Sequence, residues 1–82
     1  MDRYMLSDEG RARFRRIKTS GDRDANFKIR DYEILDYLYQ HEFATVEEIA
    51  ESTELPLGQI GEKLMNFLNR GYIKGYFEKL VE

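Results

Sequence analysis

The chain contains one histidine, His41, and no cysteine. Thiolate metal sites and disulfide staples are thereby excluded. One His with no Cys also leaves no set of nucleophile, base and orienting group from which covalent catalysis could be assembled. His41 falls at the end of a predicted helix, where a cation suits the negative pole of the dipole, so a capping or packing role is expected of it. The carboxylates of Glu47, Glu48, Glu51 and Glu54 read as a solvated helix face, because hard-cation sites need convergent oxygens and a shaped loop. Gly58 and Gly61 lie inside a predicted helix, so their spacing is not a phosphate loop. No catalysis, no cofactor and no metal is expected.

What remains is binding chemistry, and charge is its first indicator. The 82 residues carry a net charge of −3 that is unevenly spread. Residues 1–30 hold nine Lys/Arg against five Asp/Glu, a balance of +4. Residues 31–82 hold four against eleven, a balance of −7. A basic segment beside an acidic body reads as a binding arm or as two halves that attract each other. Arg11, Arg13, Arg15 and Arg16 form its densest part. Either a nucleic-acid arm or a solvated, intramolecularly paired helix face accounts for them. A chain of this length makes one small domain with a marginal core. It shows neither a signal peptide nor a long apolar run, so a soluble cytoplasmic protein without a membrane partner is expected.

The elements that position these residues follow from periodicity and caps. Ser7-Asp8-Glu9 reads as a helix start, with Ser7 as cap and two acids at the positive dipole end. The helix that follows is weakly amphipathic, with Phe14 and Ile17 on one face. Thr19 to Phe27 reads as a turn or loop. Residues 28–41 carry the helical stripe Ile34, Leu35 and Leu38, widened by Tyr32 and Tyr39. Phe43 to Thr45 is a short extended bridge. Thr45 and Glu48 make a capping box for a short helix. Pro56 suits the first turn of the next helix, which runs to about Asn69 and ends at Gly71 as a left-handed cap. Lys74-Gly75 between the apolar runs Tyr72-Ile73 and Tyr76-Phe77 reads as a tight hairpin spanning Tyr72 to Val81. The expected core is Ile34, Leu35, Leu38, Ile49, Leu57, Ile60, Leu64, Phe67, Leu68 and Ile73.

The stretch "ATVEEIAESTELPLGQIGEKLMNFLNRGYI" resembles the winged helix-turn-helix family of prokaryotic and archaeal regulators. Ala50 in the first helix of the motif, Leu55 in the turn, Ile60 and Leu64 in the second helix and the "NRGYI" exit carry the likeness. It covers roughly residues 28–81. It implies a mainly α fold with a small β-hairpin, a three-helix core plus an N-terminal helix. On this reading residues 1–27 are a basic helix-and-loop extension and residues 28–82 the winged-helix domain. The resemblance also implies a DNA-binding transcriptional regulator whose helix at about 56–69 enters the major groove of double-stranded DNA. Gln59 and Asn66 would then read bases, and Lys63, Arg70 and Lys74, with Lys74-Gly75 as wing tip, would touch phosphates. Arg11, Arg13, Arg15 and Arg16 would supplement them. Glu62 would repel phosphates. At Glu54 the family commonly has a left-handed Gly, so Glu implies strain or a different turn. Gly58 and Gly61 imply close approach by some backbone, whether of DNA, of a partner or of the neighbouring helix.

A protein-protein adaptor built on the same scaffold is the second expectation. Tyr37, Tyr39, Tyr72, Tyr76 and Phe77 are its candidate contacts, since Tyr is enriched at interfaces. A homodimer through the first helix and the Tyr-rich helix is compatible with either function. The weakly amphipathic first helix offers little to bury against its own chain.

Overall fold

The computed structural model describes residues 2–21 and 27–76. Along the chain run β1 (Arg3–Leu6), α1 (Asp8–Ser20), α2 (Ile29–Gln40), α3 (Val46–Thr53), α4 (Leu57–Asn69) and β2 (Ile73–Tyr76). The chain is thus mainly helical, with four helices and a two-stranded antiparallel sheet among the described residues. None of these helices is long and apolar enough to cross a membrane.

Most of the helix ends have a local chemical cause. The Ser7 hydroxyl accepts from the Gly10 N–H at 3.0 Å and donates to the Gly71 carbonyl at 2.6 Å. One side chain therefore caps α1 and ties it to the end of α4. At α3 the capping box closes in both directions. Thr45 Oγ1 accepts from Glu48 N–H at 3.2 Å, and the Glu48 carboxylate accepts from Thr45 N–H at 2.9 Å. The bond from Thr45 N–H, and after it the Thr45 hydroxyl, hold the Glu48 carboxyl below its ordinary value. At the end of α4, Tyr72 N–H reaches the Phe67 carbonyl at 2.9 Å and Gly71 N–H reaches that of Leu68 at 3.1 Å. Gly71 has φ 78°, the left-handed geometry this double bond requires. Glu54 ends α3 at φ 58° and ψ 26°. Among the described residues it alone adopts positive φ without being glycine. The strained alternative expected at Glu54 is therefore the one adopted, at a cost of about 1 kcal/mol or more.

The sheet corrects the expected hairpin. Lys74 and Gly75 are not a turn; they lie inside β2, which pairs with the N-terminal β1. Arg3 stands opposite Tyr76, and Leu6 opposite Ile73. Tyr4 also pairs with Ala44 through backbone bonds of 2.8 and 3.0 Å, so β1 lies between the Phe43-to-Thr45 bridge and β2. The pairing buries Leu6 and Ile73 together, a gain that a four-residue local hairpin could not match. Phe77 and the rest of the proposed hairpin lie outside the described residues.

The core is centred on Ile34, Leu35, Leu38, Ile49, Ile60, Leu64 and Phe67, each almost fully buried. Two expectations need correction. Leu57, the first residue of α4, is 53% exposed, because the first turn projects beyond its neighbours. Leu68 is only half-buried at the seam. Leu6, Phe14, Phe27, Ala44 and Tyr72 complete the core. Phe14 and Gly10 bury the inner face of α1 within the chain, so the apolar face expected to need a second copy is already covered. Gly10 packs so tightly on β2's approach that a Cβ there would strike the Tyr72 carbonyl.

Candidate nucleic-acid interface

Gln59, Lys63, Asn66 and Arg70 recur at i, i+4, i+7 and i+11 along α4 and its cap. At 3.6 residues per turn this spacing puts all four on one flank. Lys63, Asn66 and Arg70 line a shallow, open trough of about 170 Å³ together with Lys28, Asp31 and Phe67. The start of α2 forms the opposite wall. The trough carries three cations and one carboxylate, so it is positive inside a chain that is acidic overall.

Asp31 organises this wall. Its carboxylate is 8% exposed as a residue and accepts from Lys28 N–H at 2.8 Å, which caps α2. Its other oxygen accepts from Lys63 Nζ at 2.7 Å. Lys63 is therefore committed to an internal ion pair that joins α4 to α2 and is the weakest candidate phosphate ligand of the stripe. Gln59, Asn66 and Arg70 are exposed. Glu62 is exposed on the adjoining outer face, with no cation paired to it among the described residues.

The other flank of α4 has different chemistry. Leu57 and Met65 are 53% and 59% exposed, and Gly58 and Gly61 lie between them on the helix. A Cβ added at either glycine would meet nothing within 4 Å. Close approach of a neighbouring helix thus does not account for these glycines.

The arginines of α1 do not form one patch. Phe14 divides them. Arg13 stacks its guanidinium over Tyr72 at 5.1 Å, and Tyr72 meets Phe27 edge-on at 5.3 Å. Phe27 in turn meets Phe67 in the trough wall at 6.1 Å, so these rings connect Arg13 to the α4 side. Arg11 and Arg15 face Tyr39 on α2 instead. Arg11 lies 5.3 Å over its ring, and Arg15 Nε donates to its hydroxyl at 3.4 Å. The Arg15 bond, aided by the charges of Arg15, Arg11 and Lys18, outweighs burial and lowers the Tyr39 phenol below its ordinary value. Arg16 is exposed on the outer side of α1. Lys74 is exposed on β2, opposite Met5, and is not a wing tip.

The adaptor candidates also separate. Tyr72 is 7% exposed and belongs to the core. Tyr37 stacks on His41 at 4.2 Å, which gives the lone histidine the packing role expected of it. Tyr76 is exposed and meets Phe43 edge-on at 5.9 Å. Among the described residues no group of three or more potential metal ligands converges. Sequence reasoning missed Lys28 and Asp31. An acid at the third position of a helix is a visible capping signal, but its contact with Lys63 is purely tertiary.

Comparison of the chain with protein-family models, with curated proteins and with solved structures finds no match.

Proposed function

We propose that this chain is a DNA-binding transcriptional regulator of winged-helix type, acting in the cytoplasm, which presents the polar flank of α4 to the duplex. The observation that carries this reading is the trough in which the cations Lys28 and Arg70 stand with the amide of Asn66, on the α4 flank that also bears Gln59. It stands on an exposed helix flank of a chain whose net charge would otherwise repel phosphate. Arg70 and Lys28 contact phosphates. Gln59 and Asn66 have the donor-acceptor pairs that suit adenine. Lys63 positions α4 through Asp31. Affinity is weak and backbone-dominated, since Glu62 opposes it and base-reading side chains are few. Titration of random duplex DNA followed by fluorescence anisotropy, at low and moderate salt, tests this. Binding that weakens steeply with salt supports it, and no binding at low salt removes it.

A second reading has its own support on the opposite flank of α4. Leu57 and Met65, with open Gly58 and Gly61, give a smooth apolar strip suited to a protein partner. Glu62→Gln separates the two. Removing that charge tightens binding to DNA but leaves an apolar docking surface unaffected.

A further inference from the structure

Arg11, Arg15 and Lys18 recur at i, i+4 and i+7 on one flank of α1, and all three converge on Tyr39. Arg11 and Lys18 lie 5.3 and 5.2 Å from the ring centroid, and Arg15 Nε donates to the hydroxyl oxygen at 3.4 Å. Among the described residues the ion pair made by these three cations is the one from Lys18 to Asp36. That carboxylate is already held by Lys18 at 2.9 Å and by Gln40 Nε2 at 3.0 Å. Among the described residues neither Arg11 nor Arg15 has a carboxylate partner. Because the Tyr39 oxygen accepts from Arg15, its own O–H remains to donate, and no described residue accepts from it. Among the described residues, the Arg11 guanidinium, the remaining Arg15 N–H groups and the Tyr39 O–H thus present donors without a hydrogen-bond acceptor.

We propose that Arg11, Arg15 and Tyr39 form an oxyanion site that takes a phosphate group. A phosphate offers several strong acceptor oxygens, which matches a guanidinium fork beside an O–H donor. Lys18, fixed by Asp36, adds positive potential without leaving its own partner. The site is separate from the α4 trough. Tyr39 lies eight residues beyond Asp31, about 12 Å along α2 and about 80° around it. The inference therefore does not rest on the reading of α4. The phosphate is either free in solution or a phosphodiester of a nucleic acid, and the chemistry is shared.

The test is a titration of the isotope-labelled protein with inorganic phosphate, against sodium chloride at equal ionic strength, read by amide and Arg Nε resonances. Phosphate-specific shifts concentrated on residues 11–18 and 36–40 are expected. Arg15→Gln should weaken phosphate binding about tenfold and Tyr39→Phe about threefold, each by loss of a charge-assisted or neutral bond. Arg15 is exposed and Tyr39→Phe keeps the ring, so thermal melts should confirm that both variants fold. Arg16→Gln should leave phosphate binding unchanged. Equal shifts with chloride, or shifts spread evenly over Arg16 and Arg70, would overturn the site. A parallel titration with duplex DNA identifies the source: shifts at Arg15 Nε with DNA mean a phosphodiester, and shifts with inorganic phosphate alone mean a free anion. Lys28→Ala with Arg70→Ala should abolish a DNA response at α4 while phosphate binding at Tyr39 persists, so failure of one reading is visible apart from the other.

Discussion

Lys63 Nζ lies 2.7 Å from Asp31 Oδ1, and this contact is the only ion pair among the described residues in which both side chains are largely buried. It ties α4 to α2 beside the buried stripe of Ile60, Leu64 and Phe67 that turns the opposite flank of α4 outward. Asp31 also caps α2 through Lys28 N–H. Asp31→Ala removes both interactions and strands the Lys63 ammonium. We expect a loss on the order of 2–4 kcal/mol, between that of a helix cap and that of a broken buried pair. Chemical denaturation measures it, and a loss under about 1 kcal/mol would mean that water replaces the pair without strain.

Gly10 gives a sharper packing test. A Cβ at this position meets the Tyr72 carbonyl, which is itself the acceptor for Ser7 N–H at 3.0 Å. Because the obstacle is backbone, no side chain can turn aside. Gly10→Ala should therefore cost about 3 kcal/mol or more, despite the better helix propensity of alanine. Gly58→Ala and Gly61→Ala, with open space around them, should each stabilise the protein by up to about 1 kcal/mol. Thermal melts of the three variants check the contrast in sign.

Leu64 and Leu57 share a helix but not an environment. Leu64 is 1% exposed and Leu57 is 53% exposed. Leu64→Ala should cost on the order of 2–5 kcal/mol, enough to unfold a domain of this size. Leu57→Ala should cost under about 1 kcal/mol, since most of its surface already meets water. Comparable losses from both would place Leu57 back in the core.

The capping box of α3 predicts a pH dependence. The Glu48 carboxyl titrates below its ordinary value of 4.5, first because of the Thr45 backbone bond and then because of the Thr45 hydroxyl. A depressed carboxyl contributes stability above its unfolded value and loses it as pH falls through the lower folded value. Wild type should therefore exceed Glu48→Gln in stability at pH 7, and the gap should close as pH drops below 4.5. Parallel melts from neutral to acid pH measure this gap; a gap that stays constant would show that the charge does not matter.

Local signals in the sequence were enough for the four helices and for the caps at Ser7, Thr45 and Gly71, though not for the Asp31 cap of α2. Ser7, Thr45 with Glu48, and Gly71 each act within a few residues of themselves, so their chemistry is readable one turn at a time. Lys74-Gly75 misled for the same reason. Taken locally, the pair resembles a turn, but the strand that claims it, Arg3–Leu6, lies at the other end of the chain. Gly75 stands opposite Tyr4 inside the strand, where local propensity disfavours glycine, so the long-range pairing overrides the local signal. Periodicity placed Leu57 on the buried stripe because it carries no information on where the neighbouring elements stop. At the candidate interface, residue types on α4 were legible, whereas the partners that sort them were not. Asp31 withdraws Lys63, and Tyr39 withdraws Arg11 and Arg15 from the α4 side.

We propose that Lys28 and Arg70 beside Asn66 form a phosphate-binding flank. Its most direct test is the salt dependence of duplex DNA affinity for wild type and for the Lys28→Ala, Arg70→Ala double variant. Each lost phosphate contact should lower the slope of log affinity against log salt by about one unit, so the double variant should fall by about two. Its affinity should drop for all sequences alike. A double variant that folds and binds DNA with unchanged affinity and slope would contradict the account.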